Sequence, residues 1–150
     1  MRVQPRITVD FPDDWEFREQ ITILAAANPM GEVQANVLAS SEPVDPGLES
    51  EGYARSMEKR LEEEFPAYRE IELEEMDVFG GRSGWMRRFE WAPEPDRAVT
   101  QIQIYYAEGG RGYTATATAE SEDFGEYQAE LVSVLSSMSL DRAPAPTEQA

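Results

Sequence analysis

Residues 101–120 read QIQIYYAEGGRGYTATATAE, and the reading of this stretch decides the fold. Apolar and polar side chains alternate on both sides of Gly109-Gly110, the period of two strands, and adjacent glycines suit a two-residue hairpin turn. With that turn Tyr106 faces Tyr113, Ile104 faces Ala115 and Ile102 faces Ala117 on one side. Gln101, Gln103 and Tyr105 share the other side with Thr114, Thr116 and Thr118. The alanine row carries only methyl groups, so a helix can approach that side closely. Such a helix follows directly. Phe124, Tyr127, Leu131, Val134, Leu135 and Met138 form one apolar stripe, and Asp123 with Glu126 approximates a capping box.

Upstream, residues 68–91 read as another hairpin. A three-residue loop at Gly80-Gly81-Arg82 sets Leu73 opposite Phe89, Ile71 opposite Trp91 and Glu74 opposite Arg88. A first helix precedes it, with Asp45-Pro46 at its start and Tyr53, Met57, Leu61 and Phe65 recurring every four residues. Glu51-Arg55 and Lys59-Glu63 are i, i+4 pairs, and Pro66 stops the helix. Before that, residues 21–27 and 33–40 are two strands joined by a turn at Asn28-Pro29-Met30-Gly31. Ile7, Val9 and Phe11 alternate as a further strand, Pro12-Asp13-Asp14 turns the chain, and Trp15 and Phe17 open another extended piece. The expected order is β-β-β-β-α-β-β-β-β-α. That is an α+β class, an antiparallel sheet of about six to eight strands with two helices packed on its Ile/Ala/aromatic side. Residues 1–140 make one domain, and 141–150, Pro/Ala-rich without periodicity, a disordered tail.

Composition narrows the chemistry. The 150 residues contain no cysteine and no histidine, which removes thiol nucleophiles, disulfides, imidazole bases and the usual zinc sites. Thirty acidic side chains against 13 basic ones give a formal charge of −17, a surface that repels nucleic-acid phosphates and anionic lipid. No leader-like apolar segment opens the chain and no run of ~18 apolar residues occurs, so a cytoplasmic location is the expectation.

The motifs with chemical potential resolve mostly into structure. GGRSG and EGGRGY lack the following Lys-Ser/Thr and helix of a phosphate loop and read as hairpin turns. The glutamates at 62–64 and at 70, 72, 74 and 75 read as solvated faces, and Asp10, Asp13 and Asp14 lack an EF-hand's ligand series. No cofactor or metal is expected. Trp91 and Phe89 read as core. Tyr105, placed among Gln and Thr on the uncovered side, reads as an aromatic anchor for a partner, so Gln101, Gln103, Tyr105, Thr114, Thr116 and Thr118 form the candidate binding face.

Phe11-Pro12-x-x-Trp15, Gly47-Leu48-x4-Tyr53, Phe79-Gly80-Gly81 through Phe89-Glu90-Trp91, and the closing β-β-α unit from Gln101 through Phe124 come in an order that resembles the DcrB-like family of the PsbP-like fold. The pattern spans Ile7 to Leu140. The resemblance implies a non-enzymatic domain. It also implies kinship with EagR-type chaperones of type VI secretion, which dimerise and shield hydrophobic segments of effectors. The expected function is a binding adaptor, homodimeric, with a protein partner such as a secreted effector. Two alternatives come from other classes: an acidic mimic of nucleic acid that inhibits a basic protein, and a carboxylate enzyme using a hard metal.

Overall fold

The structure, a computed structural model, describes residues 1–5, 7–25 and 34–140. Its elements are β1 (Glu19–Leu24), β2 (Asn36–Pro43), α1 (Ser50–Glu64), β3 (Arg69–Val78), β4 (Arg82–Glu94), β5 (Arg97–Glu108), β6 (Arg111–Glu120) and α2 (Ser121–Ser137). The order β-β-α-β-β-β-β-α is α+β, and the six strands make one antiparallel sheet in the sequence β1-β2-β6-β5-β4-β3. Two of the expected strands do not form among the described residues. Residues 7–11 and the Trp15–Phe17 piece pair with no strand, although the turn between them forms, with the Trp15 amide donating to the Pro12 carbonyl at 3.0 Å. The turn expected at 28–31 and the tail at 141–150 lie outside the described residues.

The β5–β6 hairpin has the register its sequence dictates: Tyr106 pairs with Tyr113, Ile104 with Ala115 and Ile102 with Ala117. Gly109 and Gly110 both take positive φ, 58° and 81°, which side chains other than glycine rarely adopt in succession. The β3–β4 hairpin also has a three-residue loop, but it is Phe79-Gly80-Gly81, one residue earlier than expected. Leu73 therefore lies opposite Arg87, Glu74 opposite Met86 and Glu72 opposite Arg88. Phe79 itself carries the positive φ of 46°, and a bulge between Glu70 and Glu72 shifts the pairing again farther along.

The helices lie on opposite faces of the sheet, which corrects the expectation that both cover one side. α2 packs on the Ile/Ala side: Phe124, Leu131 and Leu135 bury against Ile102, Ile104, Ala115, Ala117, Ala119 and Val37. The methyl row lets this helix sit close, and the Ser121 hydroxyl at its start bonds the Thr100 hydroxyl at 2.7 Å. α1 packs on the Gln/Thr/Tyr side, where Tyr53 and Ala54 bury against Tyr105 and Ala107, with Leu48, Met57, Leu73 and Trp85 around them. It begins later than the sequence suggests. Asp45 caps a preceding turn by accepting from the Gly47 amide at 2.9 Å, and Ser50 accepts from the Ala107 amide at 3.1 Å, pinning the first turn to β5.

Gly84 tests this packing. A methyl group there would collide with the Val78 side chain and the Tyr105 carbonyl oxygen, and the latter belongs to a sheet strand that cannot withdraw. Gly84→Ala is expected to lower unfolding free energy by roughly 2–3 kcal/mol in urea denaturation, as overpacking does. Gly125→Ala, on an α2 face with nothing nearby, is expected to raise it by up to about 1 kcal/mol. Equal effects at the two positions would contradict the register of β3 and β4.

Candidate functional site

The α1 side of the sheet holds all six residues expected to bind a partner, in adjacent rows: Gln101 opposite Thr118, Gln103 opposite Thr116 and Tyr105 opposite Thr114. Their expected exposure is not observed. Tyr105 has 0% of its surface exposed, Gln101, Gln103, Thr114 and Thr118 are buried, and Thr116 is half-buried. The cause is α1, which brings its own polar groups to meet them. The Tyr53 hydroxyl lies 2.9 Å from the Thr114 hydroxyl, and its ring stands edge-on to Tyr105 at 6.1 Å between centroids. Gly112 makes room for Tyr53, since a Cβ there would lie 2.6 Å from its ring. Behind the helix, Phe65 packs on Trp91 at 4.6 Å and on Phe89 at 5.8 Å, beside Gln101, whose amide donates to the Thr118 hydroxyl at 2.7 Å.

Arg87 organises this layer. Its side chain is completely buried, between Trp85 and Phe89 in the stripe of β4 that faces α1. Nε donates to Glu70 at 2.9 Å, and Nη1 donates to the Ala54 carbonyl at 3.1 Å and to the Tyr105 hydroxyl at 2.8 Å. Tyr105 in turn donates to the side-chain amide oxygen Oε1 of Gln103. One guanidinium thus joins β3, β4, β5 and α1. Burial is the main force lifting the Tyr53, Tyr68 and Tyr105 phenols above their ordinary range. Tyr68 is pushed up to about 12, and at Tyr105 the Arg87 charge acts in the opposite direction. The sequence does carry a signal for Arg87, since it is the one charged position in the alternation Trp85, Arg87, Phe89, Trp91.

Beyond α1 the same face continues across β6, β2 and β1. Its rows run Thr114–Ser40–Gln20, Thr116–Leu38–Thr22 and Thr118–Asn36–Leu24. Gln20, Thr22 and Leu24 are exposed, Leu24 at 59%, while Asn36, Leu38, Ser40 and Thr116 are half-buried. Of the six expected residues, Thr116 is the one that reaches this open strip. The strip mixes hydroxyl and amide groups with two leucines, so it offers hydrogen bonds and apolar contact but no nucleophile–base pair. Elsewhere, a cavity of about 360 Å³ sits at the end of α1, lined by Glu62, Glu63, Glu64, Phe65, Pro66, Ala67 and Tyr68. Among the described residues no three acidic side chains come together in a way that could hold a metal ion. No helix among them is long and apolar enough to cross a membrane.

No family model matches the chain, and no curated protein matches it in sequence. Its architecture is similar to that of crystal structures with little sequence in common. One is PA94 from Pseudomonas aeruginosa, a protein of unknown function, with a TM-score of 0.72 at 13% identity over 90% of both chains. Another is LpqN of Mycobacterium tuberculosis, involved in cell envelope biogenesis, with a TM-score of 0.43 at 12% identity over 83% of both chains. The first likeness establishes the fold that the two chains share. The second is too distant to support an argument.

Two measurements check the buried layer. Arg87→Leu deprives Glu70, the Ala54 carbonyl and the Tyr105 hydroxyl of a donor and is expected to cost roughly 2–4 kcal/mol, less than a fully buried pair because Glu70 remains a third exposed. Combined with Tyr105→Phe it should cost clearly less than the sum of the two single changes; strict additivity would separate the two residues. The second measurement is alkaline stability. Tyr68 ionises near 10 when unfolded and near 12 when folded, so the fold retains the neutral phenol. Its contribution is complete below about pH 10 and disappears as pH rises towards 12. Urea unfolding across that window should decline less steeply for Tyr68→Phe than for the wild type, whereas parallel curves would place the loss at other tyrosines.

Proposed function

We propose that this protein is a non-enzymatic binding protein of DcrB-like type, an adaptor or chaperone that holds a segment of a protein partner and works as a homodimer. The observation that carries the reading is the strip formed by Thr22, Leu24, Leu38, Ser40 and Thr116, a sheet surface left open beside α1. Its leucines supply apolar contact. Its hydroxyls can pair with the small polar groups of a bound helix. Strand backbones fix the spacing of these side chains, so the surface is organised before binding and little ordering cost falls on the protein. The chain's lack of cysteine and histidine favours binding over thiol or imidazole chemistry.

A second reading rests on the acids of β3. Glu70, Glu72, Glu74, Glu75 and Asp77 follow one another along the edge strand, a dense anionic row that could engage a basic protein in place of nucleic acid. The two readings differ in salt response. Polypeptides encoded beside this protein are the partners to test, by fluorescence anisotropy at 50 and 500 mM salt. The adaptor reading expects binding that changes little with salt and falls at least tenfold in Leu38→Asp with Thr116→Lys, with a thermal unfolding scan of the pair showing that the fold is kept. Binding abolished by salt and untouched by that pair would transfer the function to the β3 edge.

A further inference from the structure

Two features lack a counterpart among the described residues. One is the outer edge of β1, which ends the sheet. The other is the segment 7–11, whose Ile7, Val9 and Phe11 alternate like a strand yet pair with none and are exposed, Ile7 at 94%. The two sheet edges differ sharply. β3 is acidic along nearly its whole length and broken by a bulge, devices that discourage pairing, whereas β1 reads EQITIL, with one charge at its end, no proline and no bulge. Charge also distinguishes the segment. Residues 1–11 carry two arginines and one aspartate, while the remainder of the chain carries 11 basic and 29 acidic side chains. Segment 7–11 itself holds a single charge, Asp10, and the arginines at 2 and 6 precede it, so the stretch is far less acidic than the body it is attached to. The segment departs from a fixed point, for Phe11 stacks on Phe17 at 5.8 Å and the Arg111 guanidinium covers Phe17 at 5.1 Å.

We infer that two copies exchange these parts: residues 7–11 of each copy add antiparallel to the free edge of β1 of the other, giving a strand-exchanged homodimer. The side-chain pattern specifies the register. Setting Val9 opposite Ile21 and Ile7 opposite Ile23 joins the apolar residues on the α2 side, beside Val37 and Ala39. The same register puts Thr8 next to Thr22 and extends the open strip on the α1 side. Two bodies of the same sign repel each other, and that repulsion is weaker at the β1 edge, which carries one charge, than at the acidic β3 edge. Main-chain hydrogen bonds provide the attachment, as in strand addition generally. The inference rests on the homodimer proposed above and supplies its interface; the strip that would hold a partner remains open.

The absence of cysteine gives a clean test. Thr8→Cys and Thr22→Cys are both exposed positions outside the core, so each variant should fold. The full-length variants, one carrying a mass tag, are mixed, oxidised and separated without reductant. A covalent tagged–untagged heterodimer in the mixture, well above the self-linked products of either variant alone, is the expected result. Light scattering should give twice the 16.9 kDa chain mass for the wild type, and Val9→Asp should weaken dimerisation at least tenfold. A dimeric wild type without the mixed crosslink overturns the exchange and leaves the homodimer standing. A monomeric wild type overturns both, and so does a Thr8→Cys/Thr22→Cys chain that links only within itself.

Discussion

The central hairpin is buried on both faces by side chains of opposite chemistry, and the remaining architecture follows from that. On one face, methyl groups of Ala115 and Ala117 admit α2 at short range, and the Phe124, Leu131 and Leu135 side chains fill the space. On the other face stand Gln103, Tyr105 and Thr114, which need hydrogen-bond partners once water is excluded. A plain apolar helix could not cover them. α1 can, because Tyr53 and the Ala54 carbonyl arrive with it and Arg87 rises from β4 to complete the set. Hydrogen bonds from Tyr53 and the Ala54 carbonyl therefore join apolar contact in positioning α1, while shape positions α2.

Legibility in the sequence varied with how local the determinant is. The β5–β6 register follows from two glycines and a strict alternation, and the structure has it pair for pair. For β3–β4 the loop length was readable but its placement was not, because Phe79 accepts a positive φ that sequence patterns assign to glycine, and the bulge at 70–72 has no marker of its own. Residues 7–11 show that alternation indicates the capacity to form a strand and is silent on whether an edge is available. Tyr105 and its neighbours show the limit most clearly. Gln, Thr and Tyr read as a wet surface, yet here they are an internal network, since burial depends on α1 and Arg87, both distant in sequence. Thr116 belongs to both worlds, half-buried at the boundary where the helix ends its cover.

That boundary gives the molecule its asymmetry. Across β4 and β5 the α1 face is sealed and cross-linked by one guanidinium; across β2 and β1 it is open, with hydroxyl groups and leucines side by side. A rigid half supports a receptive half within a single pleated layer. Strand β6 belongs to both, and α2 lies behind β6 and β2, so whatever settles on the open strip rests on backbone held from behind.

The row of carboxylates on β3 has a bearing on what this sheet cannot become. Open antiparallel sheets risk indefinite lengthwise growth, in which the last strand of one molecule templates the first of the next. Such a chain of molecules needs two cooperative ends. With Glu70, Glu72, Glu74, Glu75 and Asp77 along one of them, any would-be neighbour is turned away there, and fibrous stacking stops before it begins.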